Sequence, residues 1–143
     1  MIIRSKAREF AFSIEGYEFP NQKPQDKNFD HDVNWLMVSI KYTDKDTSSV
    51  YKDPCLLTYE LEDTAEKICE VLSGESELFI SNYLEPNLKI AFMKAENSFV
   101  LGVEFAYTTD GRIKHALSKT LSEDEAKLLV KELQAAVLRF PAR

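Results

Sequence analysis

Three apolar runs in the second half of the chain constrain its fold more than any other feature. Leu88, Ile90 and Phe92 form the first, Phe99, Leu101, Val103, Phe105 and Tyr107 the second, and Ile113 to Leu117 the third. Each alternates with polar or smaller residues, which is the period of a strand with one face in the core. The connections, Asn97-Ser98 and Thr109-Asp110-Gly111, carry turn chemistry. They are too short for the crossover that parallel strands need, so these strands must pair antiparallel.

The same period recurs earlier. Phe10, Phe12 and Ile14 alternate with Ala11, Ser13 and Glu15, and after Gly16 the parity switches to Tyr17 and Phe19. A flip of this kind at a glycine predicts a β-bulge or bend that re-aims the strand. From Val33 to Tyr42 the chain is first apolar at both parities, with Val33, Trp35 and Met37 against Leu36 and Val38, and then only at Ile40 and Tyr42. This is a strand that enters the core and leaves at an exposed tip, and Trp35 is expected to be largely buried. Asp44-Lys45-Asp46-Thr47 is a polar hairpin connection. The return strand runs through Val50 and, beyond an interruption at Pro54, through Cys55, Leu57 and Tyr59. A shorter strand signal lies at Leu78 to Ile80.

Two segments have a helical period instead. Ala65, Ile68, Cys69 and Leu72 fall at i, i+3, i+4 and i+7, with Asp63 and Glu66 as a capping box and Gly74 as C-cap. Ser122 and Glu125 form a second capping box, ahead of a stripe through Ala126, Leu129, Val130, Leu133, Val137 and Phe140. The expected fold is therefore α+β, one domain over residues 1–143. It has a mostly antiparallel sheet of about six to seven strands, one inserted helix and one C-terminal helix, the helices on one side of the sheet.

Composition excludes several functional classes. No stretch approaches the ~18 apolar residues of a membrane span, and the first residues have no leader pattern, so a cytoplasmic protein is expected. Cys55 and Cys69 lack CxxC spacing and are read as reduced, buried small side chains. A net charge of -6 argues against direct nucleic-acid binding, which needs cations to displace counterions. No nucleophile elbow, HExxH helix or glycine-rich phosphate loop occurs, so no catalytic residue, metal centre or cofactor is expected. Asp30-His31-Asp32 is the best candidate for acid–base chemistry, but neighbours on an extended chain point apart, and the triplet reads as a solvated loop. His115, at the parity of Ile113 and Leu117, reads as a core histidine. The nine Phe and six Tyr residues fit a sheet core, with an aromatic ligand pocket as the alternative.

One feature is left over once the core is accounted for. Eight carboxylates against the single Lys67 give residues 60–86 a formal charge of -7. At 100° per residue Asp63, Glu66 and Glu70 lie opposite the apolar stripe of the first helix, and Glu75 and Glu77 extend the acidic run past its end. Such a stripe is either a solubilising face or a docking surface for a basic partner.

Three patches in order along the chain resemble a known family. They are Gly16-Tyr17-Glu18-Phe19-Pro20 followed by Asp32-Val33-Asn34-Trp35-Leu36, then Asp53-Pro54-Cys55-Leu56-Leu57-Thr58-Tyr59-Glu60-Leu61, then Glu85-Pro86-Asn87-Leu88. Together they resemble the WapI-type immunity proteins. The resemblance implies a cytoplasmic, non-catalytic inhibitor that binds the toxic C-terminal domain of a bacterial polymorphic toxin, in the best-known case a tRNA-cleaving nuclease. It supplies no binding residues, because the patches read as structural, with Asn34 and Asn87 satisfying backbone groups at strand ends. A small-ligand-binding module and an unrecognised hydrolase are the other classes. The first would need a closed aromatic cavity, the second converging carboxylates or a carboxylate with histidine.

Overall fold

The alternating runs form strands in the computed structural model, which describes residues 1–5, 8–24, 31–45, 47–106 and 114–143. Strands β1 (Ile2–Ser5), β2 (Arg8–Tyr17), β3 (Trp35–Asp44) and β4 (Thr47–Leu57) make one antiparallel sheet in chain order. Strands β5 (Leu78–Ile80), β6 (Leu88–Ala95), β7 (Ser98–Ala106) and β8 (Lys114–Leu121) make a second. The helices are α1 (His31–Asn34), α2 (Thr58–Ser73) and α3 (Glu123–Arg139). The class is α+β as expected, but the strands divide into two sheets of four. The division follows from α2, which begins directly after β4 and carries the chain away before β5 starts. Strand β1 had no sequence signal, because Ile2-Ile3 is too short to display a period. The expected turn at Thr109-Asp110-Gly111, with Tyr107 and Ile113, lies outside the described residues.

Pairing registers explain the irregular patterns. Ile14 pairs with Val38 and Gly16 with Met37, leaving Glu15 as the extra residue of a bulge, as the parity flip predicts. On the other side of β3, Leu36 pairs with Leu56 and Val38 with Asp53, so Met37 faces both Pro54 and Cys55. The proline, which cannot donate to a ladder, thus sits in a bulge. Strand β3 buries Leu36, Val38, Ile40 and Tyr42, whereas Trp35 and Met37 are half-buried. Trp35, expected to be largely buried, is covered in part: strict alternation puts it on the face opposite Leu36 and Val38, at the start of the strand. There its carbonyl accepts the Glu18 N–H at 2.8 Å.

The inner faces of both sheets and the stripes of α2 and α3 share one hydrophobic cluster. Strand β1 runs close to β8, α2 packs on β4, β5, β6 and α3, and α3 also touches β7 and β8. Phe105 joins the sheets, with its ring 5.1 Å from Phe10 and 5.8 Å from Tyr42 between centroids.

Helix α2 starts five residues before the predicted cap. The Leu57 N–H donates to Glu60 Oε2 at 2.9 Å, so Glu60 rather than Glu66 closes the first turn, and Tyr59 is helical rather than the end of a strand. A carboxylate near the helix N-terminus also suits its dipole. The other oxygen, Glu60 Oε1, accepts the Leu84 N–H at 2.6 Å and ties the segment before β6 to the helix. The C-terminus matches expectation. Gly74 has φ 86°, and the Glu75 N–H returns to the Glu70 carbonyl at 2.9 Å. In α3 the Ser122 hydroxyl accepts the Glu125 N–H at 3.2 Å, and the Ser122 N–H donates back to Glu125 Oε2 at 2.9 Å.

Candidate partner-binding surface

Helix α2 divides cleanly by face. Leu61, Thr64, Ala65, Ile68 and Val71 are buried, and the opposite side presents Glu62, Asp63 and Glu66 to solvent. Glu70 is half-buried and accepts a hydrogen bond from Lys67 Nζ at 2.7 Å, which raises the lysine's pKa. Glu75 is exposed and tethered to the end of the helix, where the Ser73 hydroxyl contacts both the Glu70 carbonyl and Glu75 Oε1 at 3.0 Å. Glu77 is also exposed, but its position is set by β6, through the Lys94 N–H on its carbonyl at 3.0 Å. The fold therefore brings Asp63, Glu66, Glu70 and Glu75 along one ridge and places Glu77 beyond it. Glu62 also belongs to the ridge, which a helix beginning at Asp63 would exclude.

Two clefts flank this ridge. One, of about 470 Å³, is lined by Tyr59, Glu60, Asp63, Asn82, Tyr83 and Leu84. The Tyr83 hydroxyl lies 2.7 Å from Thr64 Oγ1, and burial raises its pKa, so it stays protonated. The other cleft, of about 600 Å³, runs between α2 and α3 and is lined by Glu62, Ala65, Glu66, Cys69, Gln134, Val137 and Leu138. Large apolar side chains stand exposed at these clefts: Leu84 at 60% and Leu138 at 83%. Sequence reasoning missed both. Leu138 had a readable signal, since it falls outside the apolar stripe of α3 and so has nothing to bury it.

The remaining candidates are structural in their surroundings. Asn34 is fully buried; its Oδ1 accepts the Arg143 N–H at 2.8 Å and the Thr58 hydroxyl at 3.0 Å, and its Nδ2 donates to the Arg143 carbonyl at 3.1 Å. Asn87 donates to Asp53 Oδ2 at 3.3 Å, and its carbonyl accepts the Ala106 N–H at 2.8 Å. Cys55 is buried, and burial with nearby Asp53 pushes its pKa up to about 12, so it is a thiol. Cys69 is half-buried rather than buried, because it lines the α2–α3 cleft. Asp30 and the side chain of His31 lie outside the described residues, and Asp32 is exposed at α1. Among the described residues no group of three His, Cys, Asp or Glu side chains could hold a metal ion. Among them also, no helix is long and apolar enough to cross a membrane.

His115 is half-buried, its ring centroid 4.3 Å from that of Tyr42 and 5.4 Å from that of Phe105. Burial lowers its pKa below the ordinary 6.5, against the pull of Asp44 and with a small push from Arg8. Between 6.5 and the lowered folded value the unfolded chain binds a proton that the folded chain resists. The stability tied to the neutral ring is therefore full above pH 6.5 and is lost as pH falls through the folded pKa. Urea midpoints taken from pH 7 down to 5 should fall more steeply for the wild type than for His115→Phe. Parallel curves would place the titration elsewhere.

The model of the family described as "Immunity protein WapI-like family" matches residues 1–141. No curated protein matches the chain. The solved structure of the plant transcriptional regulator PBF-2 is similar in fold, with TM-score 0.50 at 11% identity over 98% of this chain and 80% of that one. WHY3 from Arabidopsis thaliana gives TM-score 0.46 at 8% identity over 98% and 86% of the two chains. At 11% identity the likeness to PBF-2 concerns the fold alone.

Proposed function

This chain belongs to the WapI-like immunity protein family, and from that premise we propose that it is a cytoplasmic, non-catalytic antagonist that binds the toxic C-terminal domain of a bacterial polymorphic toxin. The target class that fits is a nuclease. The observation that carries this reading is the α2 ridge, where exposed Glu62, Asp63 and Glu66 lie between clefts edged by the exposed Leu84 and Leu138. A nuclease domain must attract phosphates, so its substrate face is electropositive. A carboxylate ridge meets such a face with complementary charge, and the apolar side chains beside it supply desolvated anchors. Packing has no need of the ridge carboxylates, since the buried face of α2 is complete without them. A small-ligand site would need an enclosed cavity, and both clefts beside α2 are open.

The test is charge reversal of Glu66 and Glu70 to Lys together, with helix content checked by circular dichroism. Association with the toxin domain encoded by the neighbouring gene is then measured at low and moderate ionic strength. Steering by the ridge predicts an association rate lower by about tenfold at low salt, and a salt dependence much flatter than that of the wild type. Unchanged rates and slopes would make the ridge solvated surface and put the interface elsewhere.

A further inference from the structure

We propose that the cleft between α2 and α3 is the seat for a basic amphipathic segment of the toxin domain: one large apolar side chain inserted beside Leu138, with Lys or Arg residues flanking it. The inference rests on the reading that this chain binds a toxin, and it specifies which side of the ridge does so. The cleft floor is apolar, made by Ala65, Cys69 and Val137, and its volume of about 600 Å³ leaves room for a large side chain. Leu138 stands at its rim 83% exposed, the most exposed of the large hydrophobic residues among those described. An isolated leucine in water gains by being covered, and on an interface it is a natural anchor when charged groups ring it.

Charge selects the occupant. Among the described residues the ionic side chains lining the cleft are Glu62 and Glu66, both on α2, and Gln134 is their neutral polar partner on α3. Among the described residues none of the α3 cations is paired with them: Arg139 has its guanidinium 5.2 Å from the Phe140 ring centroid, Lys127 is held by Glu123 at 2.6 Å, and Lys131 is exposed to solvent. An apolar floor under two carboxylates accepts an apolar side chain bordered by cations and repels an acidic segment. A second copy of this chain would have to bring a basic segment of its own to the same place, against a net charge of -6 on each copy.

The experiment uses the full chain and the purified toxin domain from the neighbouring gene. Leu138→Asp, on an exposed position, should leave the circular dichroism and thermal midpoint at the wild-type values and raise Kd by about tenfold or more. In the wild-type chain, Cys69 at the cleft should react with iodoacetamide, and the toxin should slow that reaction by about tenfold, with buried Cys55 as the unreactive internal control. If the wild type binds toxin while Leu138→Asp binds as tightly and Cys69 labels at an unchanged rate, the cleft proposal is overturned and the immunity reading stands. Self-association of the toxin-free chain that Leu138→Asp abolishes would identify the occupant as a second copy and overturn it too. Failure of the wild type to bind the toxin domain removes both readings together.

Discussion

Phe105→Ala is expected to lower the unfolding free energy by about 3–5 kcal/mol, seen as a lower urea midpoint at nearly constant slope. Phe105 is 1% exposed and lies where the two sheets meet. Its ring is 5.1 Å from Phe10 of β2, 5.8 Å from Tyr42 of β3 and 5.4 Å from His115 of β8, centroid to centroid. Truncation removes a large apolar group and leaves a cavity between two β-layers, each held by its own ladder and limited in how far it can collapse. Phe105→Leu keeps most of the volume and should lose much less. A cost below about 1 kcal/mol for the alanine variant would mean that the seam between the sheets closes up, contrary to this account.

Glu60→Ala is expected to cost roughly 2–6 kcal/mol, the penalty for leaving two backbone donors without their acceptor. Glu60 is 6% exposed, and its two oxygens accept the Leu57 N–H at 2.9 Å and the Leu84 N–H at 2.6 Å. One carboxylate thus closes the first turn of α2 and fastens the segment before β6 against it. Glu60→Gln retains one acceptor oxygen and should lose about half as much, an ordering that a simple loss of burial would not produce. Amide exchange gives a local readout, since the Leu84 N–H should lose protection in the alanine variant before the strands of the second sheet do. If alanine and glutamine behave alike and cost little, both amides are satisfied by water.

What depends on neighbours along the chain was legible before any fold was known. Alternation fixed the faces of β2, β6 and β7, the switch at Gly16 fixed a bulge, and the Ser122–Glu125 box and Gly74 fixed two helix ends, because each is a matter of local backbone geometry and hydrogen bonding. The acidic face of α2 was legible for the same reason, since helical angle alone separates Asp63, Glu66 and Glu70 from Ala65, Ile68, Cys69 and Leu72. What crosses between elements was not legible. The start of α2 depends on Glu60 reaching Leu84, twenty-four residues away. The half-burial of Trp35 depends on which face of its sheet is covered. The division into two sheets, and the cleft that leaves Leu138 exposed, depend on how α2 and α3 pack. In each case the deciding energy is a contact between residues distant in sequence, and a local pattern carries no information about which distant surface will arrive.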